Sequence, residues 1–156
     1  MTAAPRVYFV IGPAGSGRTG VARLIAELSG AAYLDKETAC TRLTETLLEL
    51  AGTDRNERDL NPYYQSVVMD LEYVTVLDLA ADNLRVGRPV VLDAPFGRYF
   101  QQPDYCAEVT SRHHWPSEAN ECQWADGRRL VFDNRADGVT ADAVARARAE
   151  LDPPGP

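Results

Sequence analysis

Eight residues near the start of the chain, Gly12-Pro13-Ala14-Gly15-Ser16-Gly17-Arg18-Thr19, have the types and spacing to hold phosphate. They follow the pattern G-x-x-x-x-G-K-[ST], with Arg18 in the place of the lysine. Glycines at 12, 15 and 17 allow backbone angles that a Cβ would penalise, so successive N–H groups can turn inward as an anion-binding nest. A helix beginning after the loop aims its free N–H groups and the positive end of its dipole at the same point. Thr19 then offers a hydroxyl to magnesium, and Arg18 a cation to the outer phosphates. The other reading of the run is a plain glycine-rich turn between strand and helix, and the surrounding pattern decides between them.

Two acids lie where such a loop needs partners. Asp93 closes the apolar run Val90-Val91-Leu92 and suits magnesium, bound directly or through water; the alternative is an N-cap or turn aspartate ahead of Pro95. Asp35 follows the shorter run Ala31-Ala32-Tyr33-Leu34, where phosphoryl transfer places a carboxylate to take the proton of an attacking hydroxyl; the alternative is a solvated loop acid.

The elements that must position these residues alternate strand and helix. Arg6 to Ile11 predicts strand one, and Gly17 to Ser29 a helix with Val21, Leu24, Ile25 and Leu28 on one face and Gly30 as its stop. Strand two is expected at Ala31 to Leu34, ending at Asp35. A helix over Thr38 to Leu50 carries Leu43, Leu47 and Leu50 on one side, and Gly52 to Asn61 reads as loop. A long helix over Tyr63 to Arg85 has Val67, Leu71, Val74 and Ala81 as its inner stripe and ends at Gly87. Strand three is Pro89 to Asp93, Ala94 to Gln102 is loop, and Pro103 to His113 a short helix. A fourth strand is expected at Arg129 to Phe132 and a last helix at Ala141 to Leu151, with Thr140 as N-cap and Val139 and Val144 as a staple. The expected fold is α/β: a three-layer P-loop NTPase fold with a short parallel sheet flanked by helices. Ligands in such sheets bind at the carboxyl ends of the strands, which puts the loop, Asp35 and Asp93 at one edge.

The 156 residues suit one domain, expected over 1–151 with a frayed tail at 152–156. A formal net charge of −7 argues against nonspecific binding to nucleic acid or to an anionic membrane. No apolar run approaches the roughly 18 residues of a membrane span, and no signal-peptide pattern opens the chain, so a cytoplasmic protein is expected. Cys40, Cys106 and Cys122 form no even disulfide set, and Cys106, His113, His114 and Cys122 match no common zinc spacing; free thiols and a partly exposed histidine pair are expected.

The combination resembles the small P-loop kinases and kinase-like ATP-binding proteins, a group that includes chloramphenicol phosphotransferase and the gluconate and shikimate kinases. Leu34-Asp35-Lys36-Glu37-Thr38 looks like the "DKD-T" segment of the bacterial AAA-type ATP-binding subgroup, and Val90-Val91-Leu92-Asp93-Ala94-Pro95-Phe96 looks like its "VVLDAPF" third strand. The resemblance covers roughly residues 6 to 116 and resumes near Arg128. It implies that Gly12, Pro13, Ala14, Gly15, Ser16, Gly17, Arg18 and Thr19 bind ATP, that Thr19 and Asp93 hold Mg2+, and that Asp35 orients a small-molecule acceptor or acts as its base. Arg42 and Arg98 could contact an anionic acceptor, or be solvated. Tyr63-Tyr64 and Tyr99-Phe100 could line its pocket, though such aromatics more often pack.

Two departures bear on catalysis. Arginine is planar and bidentate where lysine is a compact point charge, although it still grips phosphate. Of the 16 Lys and Arg residues only Lys36 is lysine, so a general lean toward arginine also accounts for Arg18. Secondly, Trp115 to Gly127 contains no apolar strand and no arginine, whereas kinases of this group place a fourth strand and an arginine-bearing lid there. The sequence looks like a member with that segment deleted or not represented. A sheet so shortened leaves strand one at an edge, which the Leu130 strand or a second copy in a homodimer could cover. The two readings that follow are a kinase acting on a small hydroxylated molecule, and a nucleotide-binding protein with weak or no catalysis.

Overall fold

A computed structural model describes residues 5–115 and 141–151. In chain order the elements are β1 (Val7–Val10), α1 (Arg18–Ser29), β2 (Ala32–Asp35), α2 (Lys36–Leu50), α3 (Met69–Arg85), β3 (Val90–Asp93), α4 (Tyr105–Arg112) and α5 (Ala141–Leu151). The expected fourth strand at Arg129 to Phe132, the 116–127 stretch, the Thr140 cap, Cys122 and the tail lie outside the described residues.

The three strands form a parallel sheet in the order β1-β3-β2. β3 is central and its four residues, Val90 to Asp93, are all buried, which is why that run is apolar up to its final acid. Alternation along the strands sorts the two faces. Val7, Phe9, Ala32, Leu34, Val90 and Leu92 face α3 and join Tyr73, Leu77, Leu84, Phe96 and Trp115 in the larger core. Tyr8, Val10, Tyr33 and Val91 face α1 and pack with Val21, Ala22 and Ile25. α5 packs on α1, and α2 packs beside α3, so helices cover both faces of the sheet.

Several local expectations hold closely. Gly30 adopts φ 66° and ends α1 as the left-handed residue a side chain would resist. α5 has the expected bounds. The 94–102 stretch is not all loop, since Phe96–Gln101 forms a 3-10 turn that inserts Phe96 into the core.

Two helices turn a different face inward from the one expected. α2 begins at Lys36 rather than Thr38 and buries Lys36, Cys40, Thr44 and Leu48, while Leu43 and Leu50 are exposed. Three of those four buried residues are not aliphatic, so counting leucines selects the wrong stripe; they turn inward because Lys36 and Thr44 bond Glu72 of α3. Val67 ahead of α3 and Leu71 and Val74 within it are exposed, and Tyr73, Val76, Leu77, Ala80, Ala81 and Leu84 form the buried face of α3. That stretch carries two apolar stripes, and a π turn at Tyr64–Val68 alters the helical phase ahead of α3. His113 is buried, with Nδ1 2.7 Å from Asp78 Oδ1, so the histidine pair is not uniformly exposed.

Candidate functional site

The strand–loop–helix unit β1, residues 11–17 and α1 has the local geometry that its glycines demand. Gly15 and Gly17 take φ 75° and 78°, values that favour glycine. At Gly12 a Cβ would come within 2.6 Å of Ser16 Oγ, so a side chain there would displace that hydroxyl. Gly17 is the N-cap of α1 and supplies no side-chain cap bond, and Pro13, Ala14, Gly15 and Gly17 are exposed. An exposed helix N-terminus behind a tightly turned loop is a setting for an anion. Thr19 lies in the first turn of α1, half-buried.

Asp35 and Asp93 are Cα partners at the carboxyl ends of β2 and β3. Each lies two residues beyond an α1-facing position, Tyr33 and Val91, so alternation brings both to the α1 side of the sheet. Asp93 is fully buried, and its Oδ1 lies 2.5 Å from Arg18 Nε. Arg18 Nη1 donates to the Gly12 carbonyl at 2.8 Å, so one guanidinium ties the start of the loop to the end of β3. Tyr33 donates its hydroxyl to Asp93 Oδ2 at 2.8 Å. Burial, then the Asp93 bond and charge, push the Tyr33 phenol up to about 12, so it remains a donor across the physiological range.

Asp35 is engaged locally. As N-cap of α2 it accepts from the Glu37 N–H on Oδ1, and from the Thr38 N–H and hydroxyl on Oδ2. A carboxylate has about four acceptor positions, so Oδ1 retains one for a donor from outside. The Asp35 position therefore serves the helix whatever else it does.

Lys36, next in sequence, points away from this edge into a buried network. Its Nζ lies 2.6 Å from Glu72 Oε2 and 2.9 Å from Glu37 Oε1, and 5.5 Å from the centre of the Tyr73 ring. Glu72 also accepts from the Tyr64 hydroxyl at 2.8 Å and the Thr44 hydroxyl at 2.6 Å, with Arg58 3.8 Å away. Burial works against the Lys36 charge, but the bonds to Glu72 and Glu37 outweigh it and hold the ammonium above its ordinary value. Burial likewise opposes the Glu37 charge, and Lys36 and Arg58 together hold that carboxyl below its ordinary value.

The remaining candidates are placed apart from the loop's contacts. Arg42 is exposed on α2. Arg98 is exposed on the 3-10 turn, against Met69 Sδ and the Tyr99 ring. Tyr64 is buried on Glu72 with Tyr63 packed against the same cluster, and Tyr105 is stacked by Tyr99 and met edge-on by Phe100, so the contacts shown for these pairs are packing contacts. Among the described residues no group of three or more His, Cys, Asp or Glu could hold a metal by itself. Sequence reading missed Tyr33, although its place two residues before Asp35 marks the shared face. It also missed the Glu72 network, whose signal is the spacing of Lys36, Cys40, Thr44 and Leu48, four residues apart.

The residues fit an ATP phosphate chain and magnesium on structural grounds: an exposed loop turned by left-handed Gly15 and Gly17, a helix N-terminus with no side-chain cap, and hard oxygen donors at Thr19 and Asp93. Among the described residues no helix is long and apolar enough to cross a membrane.

Comparison with known proteins agrees with this geometry. No curated protein matches the chain in sequence. Among solved structures, that of a candidate kinase from Chloroflexus aurantiacus J-10-fl is similar, with a TM-score of 0.52 at 14% identity over 96% of this chain and 78% of that one. At that identity the likeness concerns the fold alone. A family model described as an AAA domain matches residues 7–154, almost the whole sequence, so the chain belongs to the AAA domain family and has a P-loop NTPase fold.

Proposed function

We propose that this protein binds ATP with magnesium and transfers the γ-phosphate to a hydroxyl of a small molecule, in the cytoplasm. The observation that carries the reading is the convergence of the loop, Arg18 and two strand-end acids in paired register at one edge of the sheet. The backbone N–H groups of residues 12–19 would hold the phosphates, and Thr19 and Asp93 the metal. Magnesium held by Thr19 and Asp93 would supply neutralisation of the phosphates' negative charge. Arg18 would turn from Asp93 to the phosphates, with three of its five N–H donors beyond the two bonds described. Asp35 would accept the acceptor's hydroxyl proton at its remaining Oδ1 position. The acceptor is expected among small hydroxylated compounds, as for the chloramphenicol phosphotransferase-like and gluconate or shikimate kinase-like proteins that the sequence resembles.

A second reading is favoured by one observation: Asp35 is committed to capping α2, and Arg18 to Asp93 and Gly12. In that reading nucleotide sets conformation or partner choice and little phosphate is transferred. Isothermal titration with ATP and magnesium tests both, and binding is expected; no heat and no thermal shift at millimolar nucleotide would remove both. Incubation with γ-labelled ATP and a panel of alcohols, sugars and antibiotics separates them. Labelled product that disappears in Asp35→Asn supports transfer, whereas binding without product across the panel supports the second reading.

A further inference from the structure

We propose that Tyr33 is the positioning residue of Asp93, holding that carboxylate at the sheet edge while Arg18 turns to a nucleotide's phosphates. The inference rests on the nucleotide-binding reading above. Asp93 is fully buried and has two side-chain partners of different kinds. Arg18 reaches it from the junction of loop and helix on a flexible stem, and its charge is drawn equally to any phosphate held by the loop. Tyr33 reaches it from β2, whose register with β3 sets Tyr33 beside Val91 and so aims the phenol forward along the strand to the residue two further on. Its ring packs in the cluster of Val10, Val21, Ala22 and Val91, and Arg23 lies 5.7 Å from the ring centre.

The two partners also take different oxygens. Arg18 is on Oδ1 and Tyr33 on Oδ2. Loss of the Arg18 contact therefore frees Oδ1 toward the loop and leaves Oδ2 held. A buried carboxylate without any donor is costly and free to rotate. A neutral donor on the far oxygen fixes its orientation without competing for a cation on the near one. Tyr33 thus keeps Asp93 ready for metal and does not itself touch nucleotide.

The test is calorimetric titration of ATP into the full chain, with and without magnesium, for the unmodified protein and Tyr33→Phe, repeated in an Asp93→Asn background. Tyr33→Phe should weaken the magnesium-dependent gain in ATP affinity roughly tenfold, the loss of about one hydrogen bond to a charged group, and leave metal-free ATP affinity within about twofold. In the Asp93→Asn background the same change should have no further effect. Equal loss with and without magnesium would overturn the inference, as would an unchanged magnesium dependence or a full effect in Asp93→Asn. A Tyr33→Phe chain that does not fold, judged by circular dichroism, overturns it too, because the hydroxyl is then a structural requirement. Absence of ATP binding by the unmodified chain overturns the nucleotide reading itself, and this inference with it.

Discussion

The Arg18–Asp93 contact spans 2.5 Å and the Lys36–Glu72 contact 2.6 Å, and both carboxylates are buried. What surrounds them differs. Glu72 receives Lys36, Tyr64 and Thr44, with Arg58 close by, and the Lys36 side chain is only 3% exposed. With both side chains only 2–3% exposed the pair is shut off from solvent, and it joins α2 to α3. Among the described residues Asp93 receives Arg18 and Tyr33, and Arg18 is 13% exposed beside the glycine-rich loop. An ion pair becomes a brace when its neighbours complete it, and a site when one partner has a competing ligand within reach.

The largest effects should come from the brace. Glu72→Leu leaves the buried Lys36 ammonium with Glu37 alone and takes the acceptor from the Tyr64 and Thr44 hydroxyls, and should cost about 3–5 kcal/mol in chemical denaturation, whereas adding Lys36→Met should recover much of that loss. Because the Lys36 value is raised on folding, its contribution is complete below the unfolded lysine value of about 10.4 and is lost as pH rises through the folded one. The alkaline loss of thermal stability should therefore shrink in the double variant. A Glu72→Leu protein of unchanged stability that no longer bound ATP would reverse the assignment of the two regions.

Next in size is the site. Arg18→Ala should lower affinity for ATP with magnesium by roughly 10- to 100-fold in calorimetry, as expected for one charge-assisted contact, and Arg18→Lys should retain most of it. A large gain in turnover with Arg18→Lys would mark Arg18 as the feature that limits transfer. Thr19→Ala should weaken only the magnesium-dependent part of binding. Smaller still, Asp35→Ala should cost about 1 kcal/mol through the lost cap, and Asp35→Asn much less, while both abolish transfer if Asp35 is the base. The least effect is expected for Leu71→Ser on the outer face of α3, within about 0.5 kcal/mol in denaturation and with no change in binding.

The loop, β3 and the two acids were legible because their signals are local. Glycine spacing, a buried apolar run and a strand-end aspartate depend on backbone sterics and on burial of both sheet faces, which need no knowledge of distant partners. The faces of α2 and α3 were not legible. Leu43 and Leu71 make better apolar stripes on paper than Lys36, Cys40 and Thr44, yet the latter are buried.

Local pattern was thus enough to establish that a glycine-rich loop follows the first strand of a parallel α/β sheet and that Asp35 and Asp93 end neighbouring strands. What those groups touch is a matter of the fold: Arg18 closes on Asp93, Tyr33 takes the other oxygen, Asp35 caps α2, and Lys36 turns inward to Glu72. Each of those contacts except the cap joins residues 36 or more apart in sequence. Their energy depends on which carboxylate is desolvated beside which donor, and no local pattern carries that information.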